Sequence, residues 1–129
     1  LLLEGPYFER THIIVHNCCI ETWFLGHTKM LRRNPHSEKL RDFKVFYDVS
    51  LDDPEKMGHP PEYEFRAQFH LQYLKEMLYE RGLRYTKSRP GVVQEKYYLE
   101  ALIERNTRTG HLNTFGKLIH LWQNWGGNI

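Results

Sequence analysis

The chain has 129 residues, of which 40% are hydrophobic, 26% charged and 14% aromatic. That length suits one domain with a single core, and the composition excludes disordered, low-complexity and collagen-like classes. No apolar run approaches the roughly 18 residues of a membrane-spanning helix, and a formal net charge of +2 does not by itself signal nucleic-acid binding.

At the N-terminal side, Leu1 to Gly5 reads as a strand running into Glu4-Gly5-Pro6, and the β-branched run Ile13-Ile14-Val15 predicts a second strand over 12–15. Only Pro6 to Thr11 separate them, too few for the crossover of about a dozen residues that a parallel pair requires. The pair is therefore antiparallel, or a segment between the strands is missing. Because the chain also starts at Leu1 without a Met, it is expected to be incomplete at or near the N-terminus.

From Cys18 onward the periodicity becomes helical. Ile20, Trp23, Phe24, His27, Met30 and Leu31 share one face, which predicts a helix over 18–32 with Asn17 as its cap and Glu21 in its first turn. The junction carries His16, Asn17, Cys18, Cys19 and Glu21. In open α/β sheets the carboxyl end of a strand is where ligands sit, although an ordinary capped connection gives the same pattern. His16 and His27 are candidate bases or ligands, or else half-buried hydrogen-bonded side chains. The adjacent cysteines are poorly placed to bridge each other, which points to a reduced, cytoplasmic setting, and no second pair of ligands has zinc-site spacing.

Asn34-Pro35-His36-Ser37 is a break, Phe43 to Val49 is rich in β-formers and reads as a strand, and Leu51 to Pro61 is a loop in which Asp52-Asp53-Pro54 marks a turn or helix start. A long helix is predicted over 62–81. Tyr63, Ala67, Leu71, Leu74 and Leu78 form one stripe, and Phe65, Phe69, Tyr73 and Met77 form a second. Gly82 closes that helix, and two more follow at 92–106 and 113–125. The expected fold is α/β and predominantly helical: a small N-terminal sheet packed by a helix, then three helices, in one domain over 1–129. The expected core includes Ile14, Trp23, Phe24, Leu71, Leu74, Leu78, Leu102, Phe115, Ile119 and Trp122.

Charge clusters more than the total suggests. Arg81, Arg84, Lys87 and Arg89 surround Tyr85 with no acid among them. Cations interleaved with an aromatic suit phosphate contact and stacking, and a solvated loop would carry the same residues. A second basic stretch, Lys29 to Arg41, is diluted by Glu38.

The stretch Cys19-Ile20-Glu21-Thr22-Trp23-Phe24-Leu25 resembles a motif of TOPRIM-related proteins of bacteria and phages, akin to the overcoming-lysogenisation-defect nucleases. Leu83-Arg84-Tyr85-Thr86-Lys87 is similar to the Tyr-x-Lys segment after the long helix of that group. His111-Leu112-Asn113-Thr114-Phe115 resembles the turn that opens its terminal helix. The resemblance implies magnesium-dependent phosphodiester chemistry on nucleic acid, with carboxylates holding the ion. It implies Glu21 and Glu4 as catalytic residues and Glu4, Glu21 and Asp48 as metal ligands. Arg84, Tyr85, Lys87, Arg89 and His111 would contact nucleic acid. The Asp-x-Asp motif of that group is missing between Glu4 and His12, and the nearest acids, Asp48, Asp52 and Asp53, come after the CIETWFL stretch. The competing reading is a non-catalytic helical module that binds a protein partner through Phe115, Trp122 and Trp125.

Overall fold

A computed structural model describes residues 19–125, and every regular element in that span is helical. The α-helices are α1 (Ile20–Phe24), α2 (Glu38–Phe46), α3 (Arg66–Tyr79), α4 (Lys96–Thr109) and α5 (Asn113–Asn124), with 3-10 turns at Pro54–Lys56 and Gly91–Gln94. No strand occurs among the described residues, so the expected α/β class is corrected to a helical body. The predicted strands at Leu1–Gly5 and 12–15 lie outside the described residues.

The segment read as a strand over Phe43–Val49 is mostly the second half of α2. Ser37 decides this: its hydroxyl accepts the N–H of Leu40 at 3.1 Å, and Glu38 sits in the first turn. Leu40 and Phe43, three apart, then bury one face, while Val45 and Phe46 stay exposed. Capping and helical spacing outweigh the β-forming composition.

Helix α1 is much shorter than the predicted 18–32. It starts after Cys19, not Asn17, and ends before Gly26, where a Cβ would lie 2.5 Å from Cδ1 of Leu112 and 3.0 Å from the carbonyl of Trp23. Only a glycine permits this close approach of the chain to Leu112. Trp23 is buried as the spacing suggests, but Ile20 on the same predicted face is 48% exposed and Leu25, which that face omits, is fully buried; Trp23 meets Phe115 edge-on at 5.6 Å.

Helix α3 is the hub, with α1 and α2 both packed on it. It starts four residues later than expected, where Oε1 of Gln68 turns back to accept the N–H groups of Phe65 and Glu64. Its buried face is Phe69, His70, Tyr73, Leu74, Met77 and Leu78, which lies between the two stripes read from the sequence; Leu71 is only partly buried. Each such apolar side chain contributes about 1.5–3 kcal/mol through burial. Phe43 of α2 stacks edge-on to Phe69 at 5.0 Å, so α2 and α3 join through aromatic rings.

Helices α4 and α5 match the expected positions within a few residues and are joined by a tight turn. Gly110 (φ 76°) ends α4 in the left-handed conformation, and Leu112 adopts φ 59°, rare for a branched residue. Asp53 accepts the N–H of Leu112 at 3.2 Å, and the amide of Asn106 donates to the carbonyls of His111 and Leu112. Phe115 is buried and Ile119 packs on the core, but Trp122 is 42% exposed, a correction to its expected core position.

Candidate functional site

Glu21 stands in the first turn of α1 and is only 1% exposed. A buried carboxylate without partners is costly, so its environment has to supply donors. Both come from the loop after α3. The Tyr85 hydroxyl donates to Oε2 at 2.6 Å, and the Lys87 ammonium donates to Oε1 at 2.9 Å. The Lys87 side chain is 69% exposed, so one face of the ion pair is in the protein and the other in solvent.

Local backbone chemistry brings those donors in. Gly82 (φ 74°) closes α3 with paired bonds, its own N–H to Tyr79 and that of Leu83 to Leu78, which reverses the chain. Thr86 and Arg89 then exchange backbone hydrogen bonds at 3.2 Å, with Lys87 at the tip. Gly91 (φ 65°) lies so close to the carbonyl of Arg84 that a Cβ would stand 2.9 Å from it. Tyr85 is thereby directed inward against Phe24, ring centroids 6.0 Å apart. Burial, and next the bond to the Glu21 carboxylate, push the Tyr85 phenol up, so it remains a protonated donor.

Beside the ion pair is a pocket of about 460 Å³ whose walls include Ile20, Phe24, Pro90, Val93 and Gln94. A second polar chain links Cys19, Thr22 and His70. His70 is fully buried, and burial brings its pKa down to about 4, so the ring is neutral. Its Nε2 lies 2.9 Å from the carbonyl of Met57, which can only accept, so Nε2 carries the proton. Nδ1 must then accept from the Thr22 hydroxyl at 2.6 Å, and the Cys19 thiol, 2.9 Å from that oxygen, donates to it.

Of the residues singled out in the sequence, Glu21, Tyr85 and Lys87 form one bonded cluster. Arg84 and Arg89 are exposed on the same loop, their guanidinium groups in no ion pair among the described residues. His111 does not join them: its Nδ1 accepts from Arg105 at 3.1 Å in the turn before α5. Asp48 folds back on its own turn, Oδ1 accepting from the N–H and hydroxyl of Ser50. Glu4 and His16 lie outside the described residues. His27 is buried against Tyr98 at 4.7 Å, and desolvation holds its pKa below the usual histidine range.

Magnesium is not well served by this arrangement. Both Glu21 oxygens carry donors, Oδ1 of Asp48 is committed to Ser50, and no group of three or more His, Cys, Asp or Glu side chains converges among the described residues. The described residues do not fit the ion, and Glu21 is a partner of Lys87.

Thr22 and His70 escaped the sequence reading, as did two structural nodes. Glu55 accepts from Trp23 Nε1 at 3.1 Å and from the N–H of Thr114 at 3.0 Å, tying α1 to α5. The buried Arg105 donates to the carbonyls of Gly26 and Asp52. His70 lies between Phe69 and Leu71 but is flanked in turn by Gln68 and Gln72, so the sequence does not set it apart.

No family profile, curated protein or solved structure matches this chain. Among the described residues, no helix is long and apolar enough to cross a membrane.

Proposed function

We propose that this chain is part of a TOPRIM-like, nuclease-type domain that handles nucleic acid, and that the Glu21–Lys87 pair presents a fixed cation to a phosphodiester. One observation carries this reading. Glu21 of the CIETWFL stretch accepts hydrogen bonds from both Tyr85 and Lys87 of the LRYTK stretch, more than sixty residues away. An exposed lysine–glutamate pair of no consequence would contribute about 0–1 kcal/mol and would not need a buried carboxylate. Here Glu21 fixes the ammonium by one N–H and leaves the others facing solvent, where a phosphate oxygen can accept them. Arg84 and Arg89 add positive potential on the same loop. A cation held in place can stabilise charge that develops on a phosphoryl group, while Tyr85 keeps Glu21 oriented. Nucleic acid is the partner in this reading, in a cytoplasmic setting, with phage–host conflict as the context that the resemblance suggests.

The test is binding and cleavage by the full chain on single- and double-stranded DNA and RNA, with Mg²⁺ or Mn²⁺ supplied. The expected result is binding that Lys87→Ala weakens whatever the sequence. Failure to bind any of these substrates would overturn the reading. A second reading, a helical protein-interaction module, is favoured by Trp122 and Trp125, which are 42% and 39% exposed at the end of α5; the buried Phe115 no longer supports it.

A further inference from the structure

We infer that the pocket beside Lys87 receives an unpaired nucleobase adjoining the phosphate that Lys87 holds, so that the preferred ligand is single-stranded nucleic acid. This rests on the phosphodiester reading above and adds what lies next to the phosphate. The pocket volume of about 460 Å³ falls within the roughly 300–1,000 Å³ of pockets that enclose small ligands. Its walls are largely apolar: Ile20, which is 48% exposed, with Phe24, Pro90 and Val93. Such walls suit the flat, apolar faces of a base, whose edge needs a polar group able both to donate and to accept.

Gln94 supplies that group. It is exposed at the pocket, and its amide has no hydrogen-bond partner among the described residues. Lys87 lines the same pocket, so an anion on its ammonium and a base against Phe24 are neighbours, as they are within one nucleotide. A base stacked inside a duplex cannot enter; only an unstacked one can. The pocket is thus specific for strandedness, whereas Lys87, Arg84 and Arg89 attract any polyanion.

The experiment compares fluorescence anisotropy binding of the full chain to two strands of about a dozen nucleotides, one of mixed sequence and one with every base removed. Phosphate number is the same, so the electrostatic contribution is matched. The base-bearing strand should bind about ten-fold more tightly, and Ile20→Trp, which fills the pocket from an exposed position, should bring the ratio close to one. Equal binding of both strands, with Lys87→Ala weakening both, would overturn the base pocket and leave the phosphate reading standing. A base preference that survives Ile20→Trp would also overturn it. If neither strand binds, both readings fall together.

Discussion

The Lys87 ammonium lies 2.9 Å from Oε1 of Glu21 and joins an exposed cation to a carboxylate that is almost wholly out of water. The two ends of this pair respond differently to mutation. Water can replace much of what Lys87 gives, because the lysine is at the surface, whereas Tyr85 bonds the inner oxygen, Oε2, in a buried setting. Tyr85→Phe should therefore destabilise the fold by about 1–3 kcal/mol, the cost of leaving a buried acceptor unsatisfied. Lys87→Ala should lose less. Urea unfolding of the two variants gives the comparison, and a larger loss in Lys87→Ala would contradict the assignment of inner and outer partners.

Acid should destabilise the protein through His70. Its folded pKa is about 4, against 6.5 for an unperturbed histidine, so between those values the unfolded chain binds the extra proton and the folded one does not. The contribution is fully present above pH 6.5 and is lost as pH falls toward 4, by up to about 3 kcal/mol. Urea midpoints measured from neutral pH down to pH 4.5 should fall more steeply in wild type than in His70→Gln. Parallel profiles would show that the ring does not stay neutral in the fold.

Gly26→Ala tests the close approach of α1 to the turn before α5. The new Cβ meets the fully buried Leu112, itself held at φ 59°, and the Trp23 carbonyl, so neither neighbour can move freely. The expected loss is about 1–3 kcal/mol from overpacking. A melting temperature equal to wild type would mean that this contact is loose.

Trp23→Ala should cost about 3–5 kcal/mol, as for other buried aromatic side chains. Its ring packs on Phe115, and its Nε1 donates to Glu55 and to the Thr114 hydroxyl, so the change opens a cavity and removes a link between α1 and α5. A loss below about 1 kcal/mol is too small for a buried ring and would contradict this packing.

Periodicity read well where a helix has one clear buried face. Helices α4 and α5 were legible from Tyr98, Leu102, Phe115 and Ile119, and α3 was legible as an element. The face that α3 buries was not, because apolar residues surround it on both sides and only tertiary contact selects Phe69 and Tyr73 over Leu71. The β-forming content of Phe43 to Val49 favours a strand, yet Val45 and Phe46 are exposed in the second half of α2, and the Ser37 cap is the better signal. The spacing through Met30 and Leu31 promised a long first helix, but it cannot register that Gly26 passes against Leu112. At the site, Glu21, Tyr85 and Lys87 could each be named from short motifs. Their meeting depends on the reversal at Gly82 and on Gly91, a tertiary fact. His70 and Thr22 carry no local pattern that separates a bonded pair from ordinary helix residues.

The most direct test of the central claim is the salt dependence of single-strand affinity in wild type and Lys87→Ala. If the ammonium held by Glu21 meets a phosphate, removing it takes away one counterion-releasing contact. The slope of log affinity against log salt should then flatten by about 0.7 for a single strand, with weaker binding at every sequence tried. Parallel slopes for the two proteins would contradict the account and leave Lys87 with no role beyond covering Glu21.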